Sequence, residues 1–97
     1  MNSQKSAFQD AIIQKIKQLR TDHNISQLAL SDILEISSGQ VGNIESSRFQ
    51  HKYTLKQIYT FCTHIGYPIE NVFLTAEEIS AVNHIDLLIQ KIIEYDE

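Results

Sequence analysis

Helix-start signals constrain the fold of this chain more than any other feature. Four times, a Ser or Thr followed three residues later by Gln or Glu opens a stretch whose apolar residues have helical spacing. Such a pair can form a capping box, in which each side chain bonds the backbone N–H of the other residue. The pairs are Ser6–Gln9, Ser37–Gln40, Thr54–Gln57 and Thr75–Glu78.

Between these signals the apolar residues recur every three or four positions, as on one face of an α-helix. Only three Gly and one Pro occur in 97 residues, so the chain is poor in turn-forming residues. We therefore expect an all-α fold. The predicted helices cover residues 6–22, 26–34, 37–46, 54–65, 69–73 and, as one continuous last helix, 75–97.

The net charge of −4 is unevenly distributed along the chain. Residues 1–53 carry six Lys or Arg against five Asp or Glu, whereas residues 54–97 carry two against seven. Any polyanion should therefore meet the N-terminal half, and binding should depend strongly on salt.

No combination of residues typical of catalysis or of metal and cofactor binding stands out. The four His lack metal-ligand spacing, and neither a nucleophile–base set nor a Gly-rich phosphate loop is present. We expect no enzyme activity, no cofactor and no metal. There is no apolar run long enough to span a membrane and no signal-peptide pattern, so we expect a cytoplasmic protein without a membrane partner.

Residues 19–73 combine several short motifs at fixed spacing. These are Ile25-Ser26-Gln27, Leu30, Leu34, Ile36-Ser37, Val41, Ile44-Glu45, Leu55, Ile58, Ile65-Gly66 and Val72-Phe73. Together they resemble the phage-repressor-like helix-turn-helix family of transcriptional regulators, also called XRE. The resemblance implies a five-helix lambda-repressor-like DNA-binding domain over residues 1–74, with a C-terminal helix over 75–97.

The chain departs from the family pattern in the turn between the second and third helices. The family usually has Gly where this chain has Glu35. Glu fits there only with an unfavourable left-handed backbone or with a slightly different turn. The loop before the fourth helix also looks longer than usual, and it lacks the usual Gly and Pro.

The resemblance makes helix 37–46 the element that enters the major groove, where base edges can be distinguished. Ser37, Ser38, Gln40 and Asn43 would contact DNA there, because Gln and Asn can bond adenine through two atoms and Ser can bond several bases. Phosphate contacts would come from other residues of the N-terminal half. They are Gln27, Arg48 and Lys52.

Arg20 and Glu45 stand where the family pairs an Arg with a Glu. We expect a partly buried ion pair that fixes the orientation of helix 37–46. Its role is structural, and breaking one partner should cost a few kcal/mol.

The last helix has a wider apolar stripe than one small core needs. It either packs on its own domain or forms a homodimer that reads two half-sites on double-stranded DNA. The candidate dimerisation residues are Val82, Ile85, Leu88, Ile89 and Ile92. An alternative is an antitoxin-type interaction module that binds a partner protein such as a toxin, and a weaker one is a structural homodimer without ligand.

Overall fold

The computed structural model describes residues 4–97, so the first three residues of the predicted 1–74 domain lie outside the described part. Helix α1, Ala7–Asp22, begins with the predicted capping box between Ser6 and Gln9. Asn24 follows the helix with a left-handed backbone at φ 57°, as expected for the residue that reverses the chain there.

Helices α2 (Gln27–Leu34) and α3 (Ser38–Glu45) are joined by only three residues. Ser26 caps α2, and Ser37 with Gln40 forms the predicted capping box of α3. Leu30 of α2 and Val41 of α3 are fully buried, so the two short helices are held together across their shared apolar side.

Glu35 takes the first of the two conformations expected for the α2–α3 turn. Its backbone is left-handed, with φ 60° and ψ 42°. The side chain is exposed. The turn therefore keeps the geometry that a glycine would adopt without strain, with a residue that adopts it at a cost.

Helix α4, Leu55–Ile65, opens with the predicted box between Thr54 and Gln57 and ends at Gly66, whose φ of 69° is left-handed. The short helix α5, Glu70–Phe73, follows Pro68 and delivers Val72 and Phe73 to the core. Both helices begin and end close to the predicted positions.

The prediction of one continuous helix over 75–97 is wrong. Thr75 and Glu78 do form their capping box, but it opens a single turn, α6, at Ala76–Ile79. The chain then turns, and α7 runs over His84–Asp96. Ser favours such breaks because its side chain competes for backbone bonds, and Ser80 Oγ donates to the Ala76 carbonyl at 3.2 Å.

The break lets α7 fold back against α1 and α5. All regular structure in residues 4–97 is helical, which confirms the all-α prediction. One apolar core joins these helices, and Tyr95 near the C-terminus belongs to it. Within the described residues, no helix has both the length and the apolar character needed to cross a membrane.

Candidate nucleic-acid interface

Helix α3 has one buried and one exposed side. Val41, Ile44 and Glu45 are buried, and they hold the helix against the domain. The exposed side carries three of the four residues predicted to contact bases, together with one glycine. These residues are Ser38, Gly39, Gln40 and Asn43. This side is therefore uncharged and offers hydroxyl and amide groups to whatever lies against it.

Two of the predicted contact residues also serve the cap of α3. Ser37 Oγ accepts from the Gln40 backbone N–H at 3.1 Å, and Gln40 Oε1 accepts from the Ser37 N–H at 3.2 Å. The amide oxygen of Gln40 is thus engaged within the protein, and the cap uses only this oxygen of the side-chain amide. Ser38 and Asn43 lie on the same surface without a capping role.

The predicted pair of Arg20 and Glu45 is buried beneath the end of α3. Arg20 Nε donates to Glu45 Oε2 at 2.7 Å, and Arg20 Nη2 donates to Oε1 at 2.9 Å. The third donor, Nη1, reaches the Ile25 carbonyl at 2.8 Å. These bonds connect α1, the segment that precedes α2, and α3.

Gln27 lies at the first turn of α2 and joins this network. Its Nε2 donates to Glu45 Oε1 at 2.9 Å, although the residue is exposed. A Cβ on Gly42 would lie 3.8 Å from Gln27 Oε1, which is ordinary contact distance. Gln27 therefore links the start of α2 to α3 as well as standing at the surface where a phosphate contact is predicted.

Side chains from the N-terminal part of the chain satisfy the last carbonyl groups of α3. Lys5 Nζ donates to the Ile44 carbonyl at 2.5 Å and to the Ser46 carbonyl at 2.9 Å. Gln14 Nε2 donates to the Glu45 carbonyl at 2.9 Å. Burial lowers the pKa of the Lys5 ammonium, and the nearby Asp10 carboxylate partly opposes this change. Sequence reasoning missed both roles, because the partners lie more than 30 residues apart.

The loop after α3 contains the two predicted phosphate-binding cations, and they differ in their surroundings. Arg48 is exposed. Lys52 is half-buried, and its Nζ donates to the Tyr95 carbonyl at 2.9 Å while lying 5.2 Å from the centre of the Tyr95 ring. Only Arg48 is therefore presented without a partner from the C-terminal helix.

A groove of about 420 Å³ separates α3 from this loop and the start of α4. Its lining is mostly amide, imidazole, ammonium and hydroxyl groups. The lining residues are Gln40, Ile44, Gln50, His51, Lys52, Thr54 and Gln57. Gln40, which is predicted to contact a base, and Lys52, which is predicted to contact a phosphate, therefore line the same surface.

The predicted dimerisation residues divide between two sides of α7. Leu88 and Ile92 are partly buried and pack against the core of their own domain, and their part in a dimer interface stays a prediction. Ile85 and Ile89 are 58% and 51% exposed, and Val82, which precedes the helix, is fully exposed. Ile93, which lies outside the predicted set, is 54% exposed and continues the row of Ile85 and Ile89 at four-residue spacing.

Comparison of this chain with protein-family models, curated proteins and solved structures finds no match.

Proposed function

We propose that this chain is a sequence-specific DNA-binding transcriptional regulator that acts as a repressor in the cytoplasm. In this proposal residues 1–74 form a lambda-repressor-like helix-turn-helix domain, and α3 enters the major groove. One observation carries it: the exposed side of α3 is uncharged and rich in amide and hydroxyl groups, while its opposite side is fixed by a buried ion pair.

The side chains on α3 have the chemistry that base recognition requires. Asn43 can bond adenine N6 and N7 through both of its amide atoms. Gln40 can donate from Nε2 while its oxygen keeps the cap, and Ser38 can either donate or accept. The absence of charge on this side matters, because a carboxylate there would repel the phosphates.

Affinity in this proposal comes from the groups around α3. The exposed Arg48 is a phosphate contact in the loop, and Gln27 adds a polar contact at the start of α2, where unpaired N–H groups also attract anions. So few cations make the binding of one copy weak. Two copies reading half-sites about 34 Å apart would compensate for this.

The homodimer in this proposal uses the exposed row of α7, namely Ile85, Ile89 and Ile93, with Val82 beside it. Burying apolar side chains contributes about 25 cal/mol per Å² of surface removed from water. Because Leu88 and Ile92 already pack inward, the row is available without disturbing the core.

The experiment is a selection of preferred sites from a random DNA pool, followed by mobility-shift titrations at several salt concentrations. Asn43→Ala should relax base preference at one position, whereas Arg48→Ala should weaken all sequences alike and reduce the salt dependence. Gln18→Ala, which removes an exposed amide on α1, should change neither. A pool that yields no enriched sequence would refute the proposal.

A second candidate function is an antitoxin-type interaction module that binds a partner protein such as a toxin. The observation that favours it is the exposed isoleucine row of α7, which is bordered by the exposed Asp86 and Glu94. A stable complex on co-expression with a toxin-like protein, lost in Ile89→Gln, would support this alternative.

A further inference from the structure

Tyr95, in the last turn of α7, contacts three separate parts of the molecule. The residue is 1% exposed, and its ring packs edge-to-face with the Phe73 ring at 5.9 Å between ring centres. Its carbonyl accepts from Gln9 Nε2 at 2.8 Å and from Lys52 Nζ at 2.9 Å. Its hydroxyl donates to the Tyr53 carbonyl at 2.7 Å. Tyr95 therefore binds two consecutive residues at the end of the loop that follows α3.

Both loop residues held by Tyr95 matter for the proposed DNA surface. Lys52 lines the groove beside α3, and Tyr53 is the buried residue that precedes the cap of α4. Because Tyr95 holds these two residues in place, the side of the groove opposite Gln40 also has a fixed position. A substitution of Tyr95 should therefore alter this surface, although Lys52 lies 43 residues earlier in the chain.

The environment of the Lys52 ammonium favours a positive charge in a fixed place. The carbonyl groups at a helix C-terminus carry partial negative charge, and Tyr95 lies in the last turn of α7. The ring face adds a cation–π attraction. One of the three N–H donors of the ammonium is used by the carbonyl, so the others remain for an anion in the groove.

We propose that Tyr95 is a positioning residue that holds Lys52 as a preorganised contact for a DNA phosphate. A free lysine side chain loses rotamer freedom when it is immobilised, and this loss opposes binding. Tyr95 imposes that loss during folding, so that the loss is not repeated when the phosphate binds. This inference rests on the proposed function, because the anion in question is the DNA backbone.

The test is a double-mutant cycle on DNA binding with the full-length chain and a site taken from the selection. Lys52→Gln should weaken binding about five- to tenfold near 0.1 M salt and reduce the salt slope by about one. In a Tyr95→Leu background, which keeps the main-chain carbonyl but lacks the ring face and the hydroxyl bond to Tyr53, the same change should weaken binding clearly less than it does in the native chain. Phe73→Leu is the matched control, since it alters the same core contact and should leave the full effect of Lys52→Gln.

The possible outcomes separate the two proposals. If the native chain binds no DNA, the proposed function fails and this inference fails with it. If the native chain binds but Lys52→Gln has no effect, or has its full effect in the Tyr95→Leu background, only the positioning role is overturned.

A second measurement needs no variant and so does not depend on Tyr95→Leu folding. Nuclear magnetic resonance relaxation of the lysine side chains in the native protein should show Lys52 more ordered than the exposed Lys17. Equal mobility of the two ammonium groups would overturn the positioning role.

Discussion

Arg20 and Glu45 meet through two parallel hydrogen bonds, with Nε 2.7 Å from Oε2 and Nη2 2.9 Å from Oε1. Both side chains are almost completely buried, at 8% and 3% exposed. This two-pronged geometry fixes both the distance and the rotation between the groups. The last turn of α1 therefore sets the position of the last turn of α3, which leaves the opposite side of α3 facing solvent.

Breaking this pair from one side should be costly. Arg20→Met leaves the Glu45 carboxylate buried without its cation, and we expect the free energy of unfolding to fall by about 3 to 5 kcal/mol. The double variant Arg20→Met/Glu45→Leu removes both charges and should lose less than the single variant. Urea unfolding followed by circular dichroism measures both. A double variant less stable than Arg20→Met would contradict this account of the pair.

The hydroxyl groups of two buried tyrosines should respond oppositely to the same substitution. Tyr53 Oη is buried without a hydrogen-bond partner in residues 4–97, whereas Tyr95 Oη donates to the Tyr53 carbonyl at 2.7 Å. Tyr53→Phe should leave the free energy of unfolding unchanged or raise it by about 1 kcal/mol, because an unpaired buried hydroxyl is costly. Tyr95→Phe should lower it by about 1 kcal/mol. Equal losses in the two variants would show that Tyr53 Oη has a partner.

The left-handed residue in the α2–α3 turn offers a gain in stability. Glu35 adopts φ 60°, a region that costs a residue with a Cβ about 1 to 2 kcal/mol. Glu35→Gly should raise the melting temperature, since the relief of strain exceeds the added entropy of the unfolded chain. Glu35→Ala is the matched control, because it removes the carboxylate but keeps the Cβ, and it should give no such rise. Equal effects of the two changes would show that charge, not backbone strain, is responsible.

Local signals in the sequence were enough to predict most of the helices. Each capping box involves residues three positions apart, so the sequence contains both partners together. Ser6, Ser37, Thr54 and Thr75 all cap as predicted, and Gly66 takes its predicted left-handed conformation. The Arg20–Glu45 contact was predicted as well, but only through the resemblance to a family.

The contacts between residues far apart in the sequence could not be predicted in this way. Lys5 reaches Ile44 across 39 residues, and Gln9 reaches Tyr95 across 86. Such bonds depend on the packing of whole helices, which periodicity does not specify. The break after Ile79 was missed for a related reason: apolar spacing continues through it, and the packing of α7 onto α1 and α5 favours the break.

High pH should destabilise the protein. Burial is the main cause that raises the pKa values of Tyr53 and Tyr95, and it raises the pKa of the Cys62 thiol to about 11. Each group loses its proton more readily in the unfolded chain. Stability contributed by their neutral forms is therefore complete below the unfolded-state pKa values, about 8.5 for Cys and 10 for Tyr, and decreases as the pH rises above them.

Lys5 acts in the opposite direction, because its pKa is lowered in the folded protein. The two tyrosines and Cys62 together outweigh Lys5, so we expect the free energy of unfolding to fall between about pH 9 and pH 11. Urea titrations across this range measure the change, and tyrosinate absorbance reports when the buried phenols ionise. A constant free energy of unfolding over the whole range would contradict the burial of these groups.

The isoleucine row of α7 gives a direct test of the proposed homodimer. Ile89 is 51% exposed on its own domain, so Ile89→Gln should scarcely change the stability of one copy. In a dimer the same change places an amide in an apolar interface, and dissociation should become measurable at lower protein concentration. Analytical ultracentrifugation of the native and variant proteins follows this directly.

Tyr59→Gln is the matched control for that variant, because Tyr59 is an equally accessible apolar residue, 60% exposed, on a different helix, α4. It should leave the association state unchanged. DNA binding connects the two proposals: Ile89→Gln should weaken binding to a palindrome of two half-sites far more than binding to one half-site, since only the former requires two copies. If Tyr59→Gln disrupts the dimer and Ile89→Gln does not, the interface lies on α4 instead of α7.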